Sequence, residues 1–301
     1  GASAAEQRNW ILGAWAAMAL AVLTKGLIGI VIPGAVLVLL CLWDRSTAWW
    51  RAMRWVPGLL LFFAIAAPWF VVVSLRNPGF AEFFFIHEHF ARYLTKVHHR
   101  EGAWWYYVPM LLAGALPWTG ALPWVAGRAR TVAAAADDAA RPAEQKTAAR
   151  ALLSQQRALL TWAGLVFVFF SLSGSKLPSY ILPMFPALAL LLALRLRGAA
   201  SVKAMRWQLG LPVLVWLLAL LLASQAHPFA SANSPVSTIE PLAHALRLGA
   251  AIFLAGAVVA WLCLRGGRIT GAVLSVALGH VLAVAMVLRS HDSFGQLKSA
   301  A

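Results

Sequence analysis

Nine runs of apolar residues, at roughly 10–23, 27–43, 56–75, 104–125, 158–172, 180–194, 209–223, 246–264 and 271–288, fill most of this 301-residue chain, and none contains an aspartate or glutamate. In a bilayer, runs of this kind must satisfy their peptide groups internally, so each is read as a helix. Several fall short of the ~20 residues that a perpendicular span needs, and these borrow flanking residues. The chain is 61% hydrophobic and 12% charged, where soluble domains carry about 45–50% apolar and about 25% charged residues. A water-soluble globular protein is thereby excluded. The expected fold class is an all-α polytopic membrane protein with about nine transmembrane helices.

The net charge of +15 would point to nucleic acid in a soluble protein. In a multi-span protein the same excess sets orientation, because Lys and Arg collect on the cytoplasmic side. Counting alternate loops puts 16 basic residues on one side, Arg8, Arg157, Lys203, Arg206 and Arg265 among them, and 9 on the other. The 16-residue side is therefore cytoplasmic, and no nucleic-acid partner is expected. Lys25, residues 76–103, Ser173–Ser179 and residues 224–245 then face outward. Trp10, Trp43, Trp49, Trp50, Trp55, Trp104, Trp105, Trp124 and Trp207 lie at or near proposed span ends, where indole rings prefer the headgroup level.

The whole of 1–301 is expected to be one transmembrane domain fragment, cut from a longer protein, since it opens on Gly1 without a signal peptide and closes on SHDSFGQLKSAA. Within it, 76–103 is an outward amphipathic loop, 126–157 an Ala-rich, partly helical cytoplasmic connector interrupted by Pro142, and 289–301 the start of an outward tail. Cys41 and Cys263 both sit in apolar stretches and offer no disulfide framework. The lack of a carboxylate inside any proposed span argues against an ion-coupled transporter.

Three places carry polar chemistry. In the outward loop, Phe83, Ile86, Phe90, Tyr93, Leu94 and Val97 recur at helical spacing, and His89, Arg92, Lys96 and His99 follow on another face. This reads as an interfacial helix with a cationic stripe. The stripe suits either bilayer phosphates or a phosphate-binding lid, for which an arginine fork is well shaped. Four histidines, His87, His89, His98 and His99, crowd into thirteen residues of that loop and are candidate ligands for zinc or another divalent metal, although neither pair has the His-x-x-x-His spacing.

The second place is SLSGSKLPSYILPMFP, where Lys176 and Tyr180 stand four apart at an outer edge, and Pro183 and Pro186 are expected to leave the Ser179 and Leu182 carbonyls open. The third is the break Thr24-Lys25-Gly26, which splits an apolar run of 34 residues, with Gly26 and Gly29 permitting close helix approach. Lys25 and Lys176 read either as snorkelling cations or as members of one outward cationic pocket.

At these places the chain resembles the lipid A 4-amino-4-deoxy-L-arabinose transferases, bacterial GT-C glycosyltransferases related to protein O-mannosyltransferases. The resembling stretches are LAVLTKGLIGIVIPG (20–34), FFFIHEHFARYLTKVHHREGAWWYYVP (83–109) and FFSLSGSKLPSYILPMFPALALL (169–191). The resemblance implies a GT-C type fold in the bacterial inner membrane. It further implies transfer of a pentosamine from undecaprenyl phosphate to a lipid A phosphate at the periplasmic face, a modification linked to polymyxin resistance. In the reaction so implied, the acceptor phosphate oxygen attacks the anomeric carbon and undecaprenyl phosphate leaves, with no cofactor required. Lys25, Arg92, Arg100, Lys176 and Tyr180 are the candidate lipid-phosphate ligands, supported by Glu88, His98 and His99. The catalytic carboxylate is expected upstream of this chain, so the fragment alone is expected to be inactive. Competing readings are a related transferase acting on a protein or another glycan, a metal-handling protein built on the histidine-rich loop, and a non-enzymatic lipid-phosphate translocator.

Overall fold

A computed structural model describes residues 3–84, 102–123, 125, 143–199, 202–225 and 236–299. Helices account for most of them, with no strand among the described residues. The chain divides into two compact units, Gly1–Leu111 with Gly127–Leu191, and Leu112–Ala126 with Leu192–Ala301.

In the first unit, α1 (Ala4–Lys25) starts at a capping box in which Ser3 and Glu6 each accept the other's backbone N–H. This satisfies two of the donors that a helix start leaves open. Gly26 ends the helix at φ 74°, in the region that favours glycine, and α2 (Ile28–Trp43) begins two residues later. The expected break is therefore a helical hairpin with almost no loop. At Gly29 an added Cβ would come within 2.7 Å of the Ala21 carbonyl carbon and the Val22 nitrogen, so only glycine admits this approach.

The short helix α3 (Ala48–Ala52) then leads into α4 (Trp55–Arg76). Trp15 fastens α1 to this corner. Its indole donates to the Met53 carbonyl at 2.8 Å, and a Cβ on Gly58 would fall 2.0 Å from the same indole nitrogen. After the single turn Phe80–Glu82, the next described helix is α5 (Tyr107–Gly114), followed later by α6 (Ala143–Leu172).

α2 packs on α6 with opposite ends matched. At one end Ile28 and Ile32 join Val166, Phe169 and Phe170 in one apolar cluster. At the other, Arg157 meets Asp44 at 2.9 Å, and the second Asp44 oxygen accepts from Trp49 at 2.9 Å. The two helices are antiparallel. The charge count requires this too, since it places Asp44 and Arg157 together on the inner side.

After α6 comes α7 (Met184–Ala199), and the second unit is built on α8 (Val202–Ser224), α9 (Val236–Arg265) and α10 (Ile269–Ser299), around Met205, Trp216, Phe253, Leu264 and Val276. Small residues let α9 and α10 meet closely. A Cβ on Gly256 would lie 3.0 Å from the Ser275 carbonyl oxygen, and one on Gly249 would lie 2.9 Å from that of Ala283. Trp216 stacks on Phe253 and donates to His280 Nδ1 at 3.2 Å, which satisfies a polar group inside an apolar bundle.

Among the described residues, four stretches are long and apolar enough to cross a membrane: Trp55–Arg76, Val202–Ser224, Ile239–Arg265 and Ile269–Ser290. Their large side chains, such as Val56, Leu60, Leu221 and Leu282, are well exposed, as hydrocarbon-facing residues would be. Two boundaries differ from the sequence reading. The run 104–125 is not one continuous helix; α5 stops at Gly114, and a 3-10 turn follows at Thr119–Ala121, with Thr119 Oγ1 donating to the Leu112 carbonyl at 2.6 Å.

Within the Ala-rich segment, residues 143–157 form the first four turns of α6. Ala, Gln, Lys and Arg favour helix there, and a helix once nucleated continues through them. α9 also starts ahead of its expected span and takes in Glu240, which pairs with Arg247 on the same helix.

Candidate functional site

The polar residues singled out by sequence fall in the first unit, and the described ones have unlike surroundings. Lys176 lies in the segment between α6 and a 3-10 turn at Pro178–Ile181, and only 7% of it is exposed. Its ammonium turns inward instead of snorkelling. Nζ donates to the Ser171 carbonyl at 2.8 Å and to the Ser173 carbonyl at 3.0 Å, two acceptors freed by the end of α6. The ring of Tyr107 lies 5.8 Å away, within cation–π range. Burial lowers the Lys176 pKa below its ordinary value, because desolvation disfavours the charged form.

The same turn is laced by smaller bonds. Ser173 Oγ accepts from the Ser175 N–H at 3.3 Å and donates to the Ser175 carbonyl at 3.1 Å. The Leu177 N–H donates to the Tyr107 hydroxyl at 3.2 Å. The buried hydroxyls of Ser171 and Ser175 have no hydrogen-bond partner among the described residues. Gly102 completes the wall: a Cβ there would lie 2.9 Å from Lys176 Cδ and 3.2 Å from a ring carbon of Tyr106.

Tyr180 is half-buried, its ring 5.0 Å from that of Phe170. It does not share a helical face with Lys176, because Pro178 opens the 3-10 turn and the residues before it are not helical. The carbonyls expected to be left open by the prolines are also taken. Ser179 accepts from the Leu182 N–H at 3.2 Å, and Leu182 accepts from the Phe185 N–H at 3.1 Å. Shifting to i→i+3 bonds serves acceptors that a proline cannot reach. Trp162 Nε1 donates to the Pro183 carbonyl at 2.9 Å and ties α6 to this corner.

Lys25 is the last residue of α1, exposed, where a cation complements the helix dipole. Its ammonium makes no hydrogen bond or ion pair among the described residues. Three positions further on, Ile28 packs in the cluster that also holds Tyr106, Tyr107 and Tyr180, so the Lys25 break and the Lys176 turn are at the same end of this unit. Arg92, Arg100, Glu88, His87, His89, His98 and His99 lie outside the described residues. No group of three metal-ligating side chains occurs among the described residues.

Sequence reasoning missed Tyr107 as an organiser of this corner. Its signal was present but nonspecific, because a tyrosine next to another tyrosine in an aromatic run reads as a membrane-interface residue. Only the tertiary structure shows that it is fully buried and receives a backbone donor from the Lys176 turn.

The membrane-length helices mark a multi-pass inner-membrane protein, and the match to a solved structure gives it a fold of the GT-C type. Comparison with solved structures supports the assignment. The chain superposes on ArnT from Cupriavidus metallidurans bound to undecaprenyl phosphate with a TM-score of 0.83 at 34% identity, covering 98% of this chain and 50% of that one. The apo form of the same protein gives a TM-score of 0.81.

Among curated proteins, the undecaprenyl phosphate-alpha-4-amino-4-deoxy-L-arabinose arabinosyl transferase of Erwinia tasmaniensis is 32% identical over 256 residues, 83% of this chain and 42% of that protein. The same-named protein of Pseudomonas aeruginosa PAO1 is 33% identical over 211 residues, 67% of this chain and 33% of that protein. No protein-family model matches the chain. The chain is thus a relative of the undecaprenyl phosphate-aminoarabinose arabinosyl transferases, and it spans about half or less of the length of the proteins it matches.

Proposed function

We propose that this chain is the lipid-carrier-binding portion of a glycosyltransferase that moves 4-amino-4-deoxy-L-arabinose from undecaprenyl phosphate to a phosphate of lipid A at the periplasmic face. The observation that carries this reading is the match of nearly the whole chain to a structure holding undecaprenyl phosphate. In the proposed reaction a lipid A phosphate oxygen attacks the anomeric carbon as the bond from that carbon to the carrier phosphate breaks. The sugar arrives already attached to a phosphate leaving group, so no nucleotide or metal cofactor is required for activation.

Negative charge builds on the departing phosphate, and fixed cations nearby stabilise it. In this reading Lys25, Arg92 and Arg100 meet the carrier phosphate and Tyr180 donates its hydroxyl. Lys176 adds positive potential from inside the turn, while Glu88, His98 and His99 orient the loop. Ionic and hydrogen-bonding partners of this kind are each worth about 1.5–3 kcal/mol, so Lys25→Ala and Tyr180→Phe should each weaken undecaprenyl phosphate binding by about tenfold or more.

The test is titration of the chain in detergent with undecaprenyl phosphate, together with mass spectrometry of lipid A from cells with and without the intact gene. Wild-type affinity in both variants would refute the site. A pentosamine on lipid A that persists without the gene would refute the acceptor and turn attention to a protein or glycan acceptor. Flipping of the carrier across liposomes without sugar transfer by the whole protein would refute the enzyme.

A further inference from the structure

The start of α8 carries a feature that sugar transfer does not use. Lys203, Arg206, Trp207 and Gly210 line a shallow notch of about 300 Å³. Their spacing puts them on one helical face, and Leu214, Leu217 and Leu221 continue that stripe with exposed side chains. The opposite face is the packed one, carrying Met205, Leu209 and Trp216. The charge count places the Lys203 end at the cytoplasmic surface, and Trp207, 76% exposed, sits at the level where indoles settle.

Three observations point to a ligand instead of a bare bilayer edge. The first turn of α8 has no acidic residue, so two cations add to the positive end of the helix dipole without a partner on that turn. Gly210 stands mid-helix, where glycine costs roughly 1 kcal/mol relative to alanine. Among the described residues nothing lies within 4 Å of the Cβ it lacks, so no contact with a described helix requires it, and its effect is to open the floor of the notch. Finally, the ten helical steps from Trp207 to Leu217 rise about 15 Å, which is about half the hydrocarbon thickness and so one leaflet of acyl chain.

We propose that this notch binds an anionic glycerophospholipid of the cytoplasmic leaflet. The headgroup phosphate lies between Lys203 and Arg206, the glycerol against Trp207, and one acyl chain over Gly210 along Leu214 and Leu217. Cationic side chains above a groove of this depth suit a diester phosphate with an attached chain better than a free ion, which would leave the apolar floor uncovered.

The test uses the purified chain in detergent with equal amounts of phosphatidylglycerol and phosphatidylcholine, read by native mass spectrometry. Phosphatidylglycerol should be retained preferentially, and the double variant Lys203→Ala/Arg206→Ala should lower that preference by roughly 10–30-fold. Gly210→Leu should abolish retention without harming the fold, because the added side chain enters open space and leucine favours helix. Its helicity and elution volume verify that. Equal retention of both lipids by the wild type would overturn the proposal. So would undiminished phosphatidylglycerol binding in either variant that remains folded.

Discussion

Lys25 and Lys176 look alike in the sequence, each a lone lysine at an outer break between apolar runs, yet the structure gives them opposite surroundings. Lys25 ends a helix and stands exposed, whereas Lys176 is buried and donates to two main-chain carbonyls. The difference comes from the backbone that follows each residue. After Lys25 the chain turns within two residues, and Gly26 itself donates to the Val22 carbonyl at 2.9 Å. After Leu172 a longer non-helical stretch leaves the Ser171 and Ser173 carbonyls to be served, and the lysine serves them. A buried cation at a membrane edge can therefore be a capping group for a helix end, and its charge alone does not reveal whether it faces a ligand.

The contrast can be broken by substitution. Lys176→Met keeps the length of the side chain and removes both bonds, so thermal unfolding in detergent should show a loss of about 2 kcal/mol. An unchanged melting point would mean that the ammonium is not holding the turn. Gly102→Ala presses a methyl against the Lys176 stem and Tyr106, and should cost about 1 kcal/mol by the same measurement.

A pH series sharpens the comparison further. Burial lowers the folded-state pKa of Lys176, so approaching the ordinary value of 10.5 from below, the unfolded chain holds a proton that the folded chain has released. Stability should therefore gain an increment as pH rises through that window, and the increment should be absent in Lys176→Met. The smallest effect belongs to Lys25→Ala, which should change stability by no more than about 0.5 kcal/mol. A large loss there would erase the distinction between the two lysines.

Much of the fold was legible because membrane helices announce themselves by composition. The hairpin at Lys25 was readable from a charged residue beside Gly26 and Gly29, and the antiparallel order of α2 and α6 from the charge count that puts Asp44 and Arg157 on one side. The interruption of 104–125 was hidden, since the turn after α5 is as apolar as the helix before it and is held by Thr119 reaching back to a carbonyl. Where α6 begins within the partly helical connector was hidden, because polar residues form helix as readily outside a membrane as apolar ones do within it. At the candidate site, residue identities were visible but directions were not. Whether Lys176 points toward solvent or toward Ser171 depends on carbonyls that no side-chain pattern encodes.

The hairpin between α1 and α2 has a mechanical corollary. Two residues join the helices, Gly26 is held at φ 74°, and Gly29 meets the backbone of α1 with no room for a methyl group. A joint with so little slack cannot pay out chain, so Lys25 cannot rise or sink along the membrane normal unless both helices travel with it. The hairpin thus works as a depth gauge: the height of the Lys25 backbone is set by the length of two rigid rods and not by the reach of a flexible loop.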